Sequence, residues 1–225
     1  MRSKLEMSKV PSRKLAQGFQ DLLSFGINSK AASVIQELAD LTTIIDNHCR
    51  GSKFISDIAV LIDHRNTVQH SLLSLPKGDE LEPGEVSSVC LYDAIRLAAV
   101  IYSAAVTFPL PPLTGIFRKL AMELKIVVDE SKSDRCWQLC PKTLLWILVM
   151  GGIAATNVPE RIWYIQNLSV VSSALRFPDW DEVADELSSY LWLESACNAG
   201  GRLLWIEVMD HKTFQDVDDS GRPDI

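Results

Sequence analysis

Apolar residues in this chain recur at alternating steps of four and three, the interval at which an α-helix returns to one face. Val34, Leu38, Leu41 and Ile45 make a first stripe, behind Ser29 as a capping residue and ahead of Gly51. Phe54, Ile58, Leu61, Val68, Leu72 and Leu75 make a second, in which Arg65 occupies a stripe position. Leu91, Ile95, Ala98, Tyr102 and Ala105 form a third, and Leu113, Phe117, Leu120, Leu124 and Val127 a fourth. Tyr164, Leu168, Val171 and Leu175, then Trp180, Val183, Leu187 and Tyr190, continue the series. No stretch alternates with the period of two that a half-buried strand needs. The pattern predicts an all-α protein, a single domain of about nine or ten packed helices.

The segment LLWILVMGGIAA, Leu144 to Ala155, is apolar all round instead of striped. A bilayer core of roughly 30 Å requires about 20 apolar residues in a helix. Lys142 precedes this run, and Thr156, Asn157 and Glu160 follow it, so it is too short to span. It reads as a helix buried in a core, with no membrane partner.

Punctuation agrees with that reading. Pro141, Pro159 and Pro178 stand where a first helical turn tolerates a ring, and Gly26, Gly51 and Gly200 stand near expected helix ends. PKGDELEPGE, Pro76 to Glu85, is the most polar interior segment and reads as a surface loop. The chain divides into a basic tail over 1–10, a helical domain over 11–209 and an acidic, frayed tail over 210–225. No internal repeat of fixed period supports a solenoid.

Charge narrows the partners. A net charge of -7 argues against gripping nucleic acid through the bulk surface, because neutralising phosphates needs clustered Lys and Arg. Only Arg2, Lys4, Lys9, Arg13 and Lys14 run the other way. No apolar run follows Met1, so Cys49, Cys90, Cys136, Cys140 and Cys197 are expected to be reduced thiols. Cys136 and Cys140 are two thiols where a zinc site usually wants four ligands, and Pro141 makes a helix end at Cys140 the expectation.

Enzyme signals are sparse. The chain has no G-x-S-x-G elbow, P-loop, G-x-G-x-x-G or H-E-x-x-H. His64 and His70 point about 120° apart on a straight helix and cannot share one ion. Asp129 and Glu130 are adjacent and so face different sides. Asp216, Asp218, Ser220 and Gly221 match the start of a calcium loop whose closing Glu would fall beyond Ile225. Pro109 and Pro112 satisfy P-x-x-P, but a stiff connector is needed there in any case. No cofactor or metal is expected. Arg65 on its apolar stripe must snorkel or find a carboxylate. All six tryptophans, Trp137, Trp146, Trp163, Trp180, Trp192 and Trp205, fall in the second half, where they either knit a core or line a pocket.

LLWILVMGGIAA, RIWYIQNL from Arg161, and WDEVADELSSYLWLESACNAGGRLLWIEV from Trp180 to Val208 together resemble the C-terminal regulatory domain of fungal-specific transcription factors. DAIRLAAVIYSAAVTFPLPP, Asp93 to Pro112, looks like its middle region, so the likeness runs from Pro11 to Met209. That family usually carries a binuclear zinc cluster upstream. None of the five cysteines here stands in a C-x-x-C pair, so the resemblance does not extend to DNA binding. A gene missing its first exon, a diverged paralogue or an excised domain would each account for that. Where the family often has Asp after the cysteine, this chain has Asn198, expected to alter one helix cap.

The resemblance implies a nuclear transcription regulator, concerned in such families with nutrient use or secondary metabolism, that works by interaction and not as an enzyme. Its partners would be other transcription regulators or coregulators, or a small-molecule effector. Arg65, Trp146, Trp163, Trp192 and Trp205 are the candidate effector or partner surface. The alternative is a small all-helical enzyme or accessory protein of a fungal metabolic pathway.

Overall fold

The computed structural model describes residues 16–24, 27–51, 58–111, 115–132 and 134–220. The basic tail 1–10, Gly26, Phe54, Pro112, Leu113 and everything from Gly221 onward lie outside the described residues. The described residues fold into nine α-helices and no strand: α1 (Ser29–Cys49), α2 (Ile58–Leu73), α3 (Val89–Ala105), α4 (Ile116–Glu130), α5 (Cys136–Leu139), α6 (Pro141–Ala154), α7 (Arg161–Leu175), α8 (Trp180–Leu187) and α9 (Glu194–Ser220). They make a single packed helical domain, as the apolar stripes predict.

Local chemistry sets the boundaries. Asn28, not Ser29, caps α1: its backbone is extended and its Oδ1 accepts the Ala31 amide at 2.9 Å, while Ser29 is already helical. Ser88 Oγ accepts the Leu91 amide at the start of α3, and Asp179 Oδ1 that of Glu182 at the start of α8. Pro141 occupies the first turn of α6, directly after Cys140, which ends α5. Gly51 closes the last turn of α1 at φ +68°, where a side chain would be strained.

Two helices are buried on nearly every side, and the others wrap them. α3 contacts α1, α2, α4 and α6, and α6 contacts α3, α4, α7 and α9, so α4 bridges the two hubs. Of the 14 residues of α6, Leu145 to Gly152 are all buried. At about 1.5 Å per residue that helix is roughly 21 Å long. No helix among the described residues is long and apolar enough to cross a membrane.

Gly151 and Gly152 explain how α6 holds a neighbour on two sides. A Cβ at Gly151 would overlap the Tyr164 ring of α7, and one at Gly152 would stand 2.5 Å from Leu204 Cδ2 of α9. Tyr164 crosses that gap and donates its hydroxyl to the Ala121 carbonyl of α4 at 2.6 Å. Gly200 lies inside α9 and not near its end, as does Gly201, whose missing side chain admits the Trp180 ring. These glycines are packing devices, not helix stops.

Candidate functional site

The aromatic residues of the second half engage separate partners. Trp146 is fully buried: its indole N–H donates to the Leu191 carbonyl at 3.0 Å, its ring meets Phe19 edge-on at 5.0 Å and stacks on Tyr190 at 5.9 Å. Trp192 is buried against Trp180, centroids 6.1 Å apart. Trp205 is buried on α9 with Lys212 Nζ 5.5 Å above its ring. Asn198 falls within α9 and caps nothing; its Oδ1 accepts the Trp180 indole N–H at 2.7 Å.

Trp163 is half-buried where α7 meets the end of α4. Its indole N–H donates to Asp129 Oδ1 at 3.2 Å, and Lys125 Nζ and Lys132 Nζ lie 5.4 Å and 5.5 Å from its ring centre. Both lysines also pair with Asp129, at 3.2 Å and 2.5 Å. The Lys132 hydrogen bond first, then those from Lys125 and Trp163, hold the Asp129 carboxyl down at about 2 against the opposing effect of burial. A carboxylate so committed is a poor proton donor or acceptor near neutral pH.

Among the described residues Arg65 pairs with no carboxylate. Its guanidinium lies over the Phe108 ring at 4.8 Å, and its buried Nε has no hydrogen-bond partner. The structure therefore spreads the five singled-out residues over the domain: Trp146, Trp192 and Trp205 in the core, Trp163 on the α4–α7 seam, and Arg65 on the α2 side. Burial pushes the Cys197 thiol up to about 12, so it stays protonated near neutral pH. All five cysteines are free thiols, and no group of three or more His, Cys, Asp or Glu among the described residues is placed to hold a metal ion.

A small apolar cavity lies between α1, α3 and the end of α2, lined by Ile27, Ala31, Ile35, Leu72, Tyr92 and Arg96 among others. Its volume of about 10 Å³ is near the minimum for one water, whereas a drug-sized ligand occupies about 300 Å³ or more. As it stands it has no room for a metabolite.

The outer surface of α7 and α9 is different in kind. α9 buries Cys197, Leu204, Trp205 and Val208, yet leaves Leu203 62%, Ile206 52% and Phe214 73% exposed. With Asp210 these fall at steps of three, four and four, one stripe on the side away from the core. α7 adds Ile162 and Val170, exposed on its own outer side. The two helices are clamped. Arg161 at the start of α7 gives a bidentate pair to Glu207 of α9, at 2.9 Å and 2.8 Å, and its third nitrogen donates to the Gly152 carbonyl at 2.5 Å. The outer apolar residues therefore sit on a fixed platform.

Sequence reasoning missed this face because it singled out only Trp205 in LLWIEV and assigned the segment from Asp210 to a frayed tail. In fact α9 continues to Ser220. The available signal was the absence of any Gly or Pro between Gly201 and Gly221, which leaves nothing to stop the helix. No protein-family model, curated protein or solved structure matches the chain.

Proposed function

We propose that this chain is the regulatory helical domain of a transcription regulator, acting in the nucleus through contact with other regulators or coregulators. The motif residues quoted above support the family part of the reading. They also form one connected junction, since the Arg161 helix start, the Gly151–Gly152 pair and Glu207 meet directly. The observation that carries the interaction part is the exposed apolar stripe Leu203, Ile206 and Phe214 on a helix clamped by Arg161. A grouped exposed apolar surface is a mark of interaction sites. The exposed stripe favours a protein partner over a small-molecule effector, and the cavity beside α3 has room for about one water.

The test is transcriptional. Fused to an unrelated DNA-binding module in a fungal cell, the chain should raise or lower a reporter by severalfold relative to the module alone. A fusion of equal abundance that leaves the reporter unchanged under every nutrient condition tried would defeat the proposal.

A further inference from the structure

We infer that the outer face of α9 is a docking surface for a partner protein whose groove is apolar at its floor and lined with Lys or Arg at its rim. This rests on the interaction reading above and adds what the partner must look like.

Two features set the chemistry. The first is the stripe itself: Leu203, Ile206 and Phe214 are all more than half exposed, spaced to enter a groove as successive turns of one helix. Val208 is the last fully buried residue among those of α9 whose side chains are described, and Met209, Asp210, Thr213 and Phe214 beyond it are exposed. Helices shorter than about 12–15 residues are marginal alone in water, so the turns beyond Val208 gain from anything that covers them.

The second feature is charge. Asp210 stands in the middle of the stripe, Asp216, Asp218 and Asp219 follow along the chain, and the last turn of α9 has no basic residue. A helix C-terminus already carries the negative end of the macrodipole, so acidic residues there repel it and cations relieve it. No Lys or Arg stands three or four residues from the exposed Asp210, so α9 itself offers that carboxylate no cation on the stripe. That excludes anionic lipid and nucleic acid as the favoured occupant. It also disfavours a second copy of this chain: at a net charge of -7, stripe on stripe would bring Asp210 into an apolar contact with like charge nearby. An apolar groove with a cationic rim satisfies both features.

The probe is a synthetic amphipathic helical peptide of about 18 residues, with Leu on one face and Lys on the other, long enough to cover the exposed turns. Controls carry Glu in place of Lys, or Ser in place of Leu. Binding to the purified full chain is read by fluorescence anisotropy across a salt series, beside the variant Leu203→Ser/Ile206→Ser/Phe214→Ser, which keeps every charge. The Leu and Lys peptide should bind the parent chain, bind the triple variant at least tenfold more weakly, and lose affinity with salt. Both control peptides should bind poorly. Circular dichroism and the melting temperature of the variant should match those of the parent.

Equal binding by the parent and the triple variant would mean bulk charge attraction and would overturn the assignment. So would no binding at all, or a dimer of this chain that the triple variant abolishes. A chain that moves the reporter but fails these tests refutes the docking face alone. A chain that binds as stated but leaves the reporter unmoved refutes the transcriptional reading alone.

Discussion

α6 and α9 touch each other through Gly152 and Leu204, yet they distribute their apolar residues in opposite ways. In α6 the apolar residues point everywhere and nearly all find the protein, with α3, α4, α7 and α9 packed against it. In α9 one stripe is sealed into the core, and a second, Leu203, Ile206 and Phe214, faces outward. α6 is apolar along nearly its whole length, whereas α9 mixes apolar and charged positions. Only α6 is explained by the fold of this chain, and the remainder in α9 asks for a partner.

The comparison makes opposite predictions for the two helices, and the largest effect belongs to α6. Trp146→Ala should lower the unfolding free energy by about 3–5 kcal/mol, the range for emptying a large aromatic site. It also leaves the Leu191 carbonyl without its donor. Trp192→Ala should approach the same range. Urea titration followed by far-ultraviolet circular dichroism checks both, and a loss near zero at Trp146 would contradict the core described here.

Gly151→Ala should cost about 1–3 kcal/mol, because the added methyl meets a Tyr164 ring that has no room to retreat. The outer stripe should behave differently. Leu203→Ser, Ile206→Ser and Phe214→Ser should each change stability by about 0.5 kcal/mol or less, as for exposed positions generally. If one of them cost as much as Gly151→Ala, that residue would be packing rather than docking.

The smallest effect concerns Asp129, a third exposed and therefore screened. Its folded pKa, about 2, is below the unfolded value of about 3.9, so its contribution is present above pH 4 and is lost as pH falls through 2. Asp129→Asn should be slightly less stable than the parent at pH 7, and the gap should close as the pH falls below about 2. Urea midpoints at a series of pH values test the sign, and a gap that widens on acidification would reverse it.

The fold was legible because helical periodicity depends only on which residues avoid water. The third stripe shows this well: Leu91, Ile95, Ala98 and Tyr102 are all buried, although Ala105 is exposed at the end of α3. The second stripe was legible in its latter half only. Val68, Leu72 and Leu75 are buried, while Ile58 is 64% exposed, because α2 leans on α1 and α3 and its first turn faces outward. Gly200 and Asn198 were misplaced for one reason. Punctuation rules treat glycine and asparagine as ends, but in α9 Gly200 lies close against Ile153 of α6 and Asn198 supplies the acceptor that the Trp180 indole needs. The site was less legible than the core. Tryptophan marks where area is buried without saying whether the buried partner belongs to the same chain, and an outward stripe is visible only once the inward one has been placed.

The central claim is that α9 presents a stripe whose apolar residues serve contact and not folding. The most direct measurement is reporter output from the chain tethered to DNA, parent against Leu203→Ser/Ile206→Ser/Phe214→Ser, at matched abundance and with both proteins shown to be equally stable. The account predicts that the triple variant loses most of the reporter response while melting at the parent's temperature. An unchanged response from an equally stable variant would contradict it.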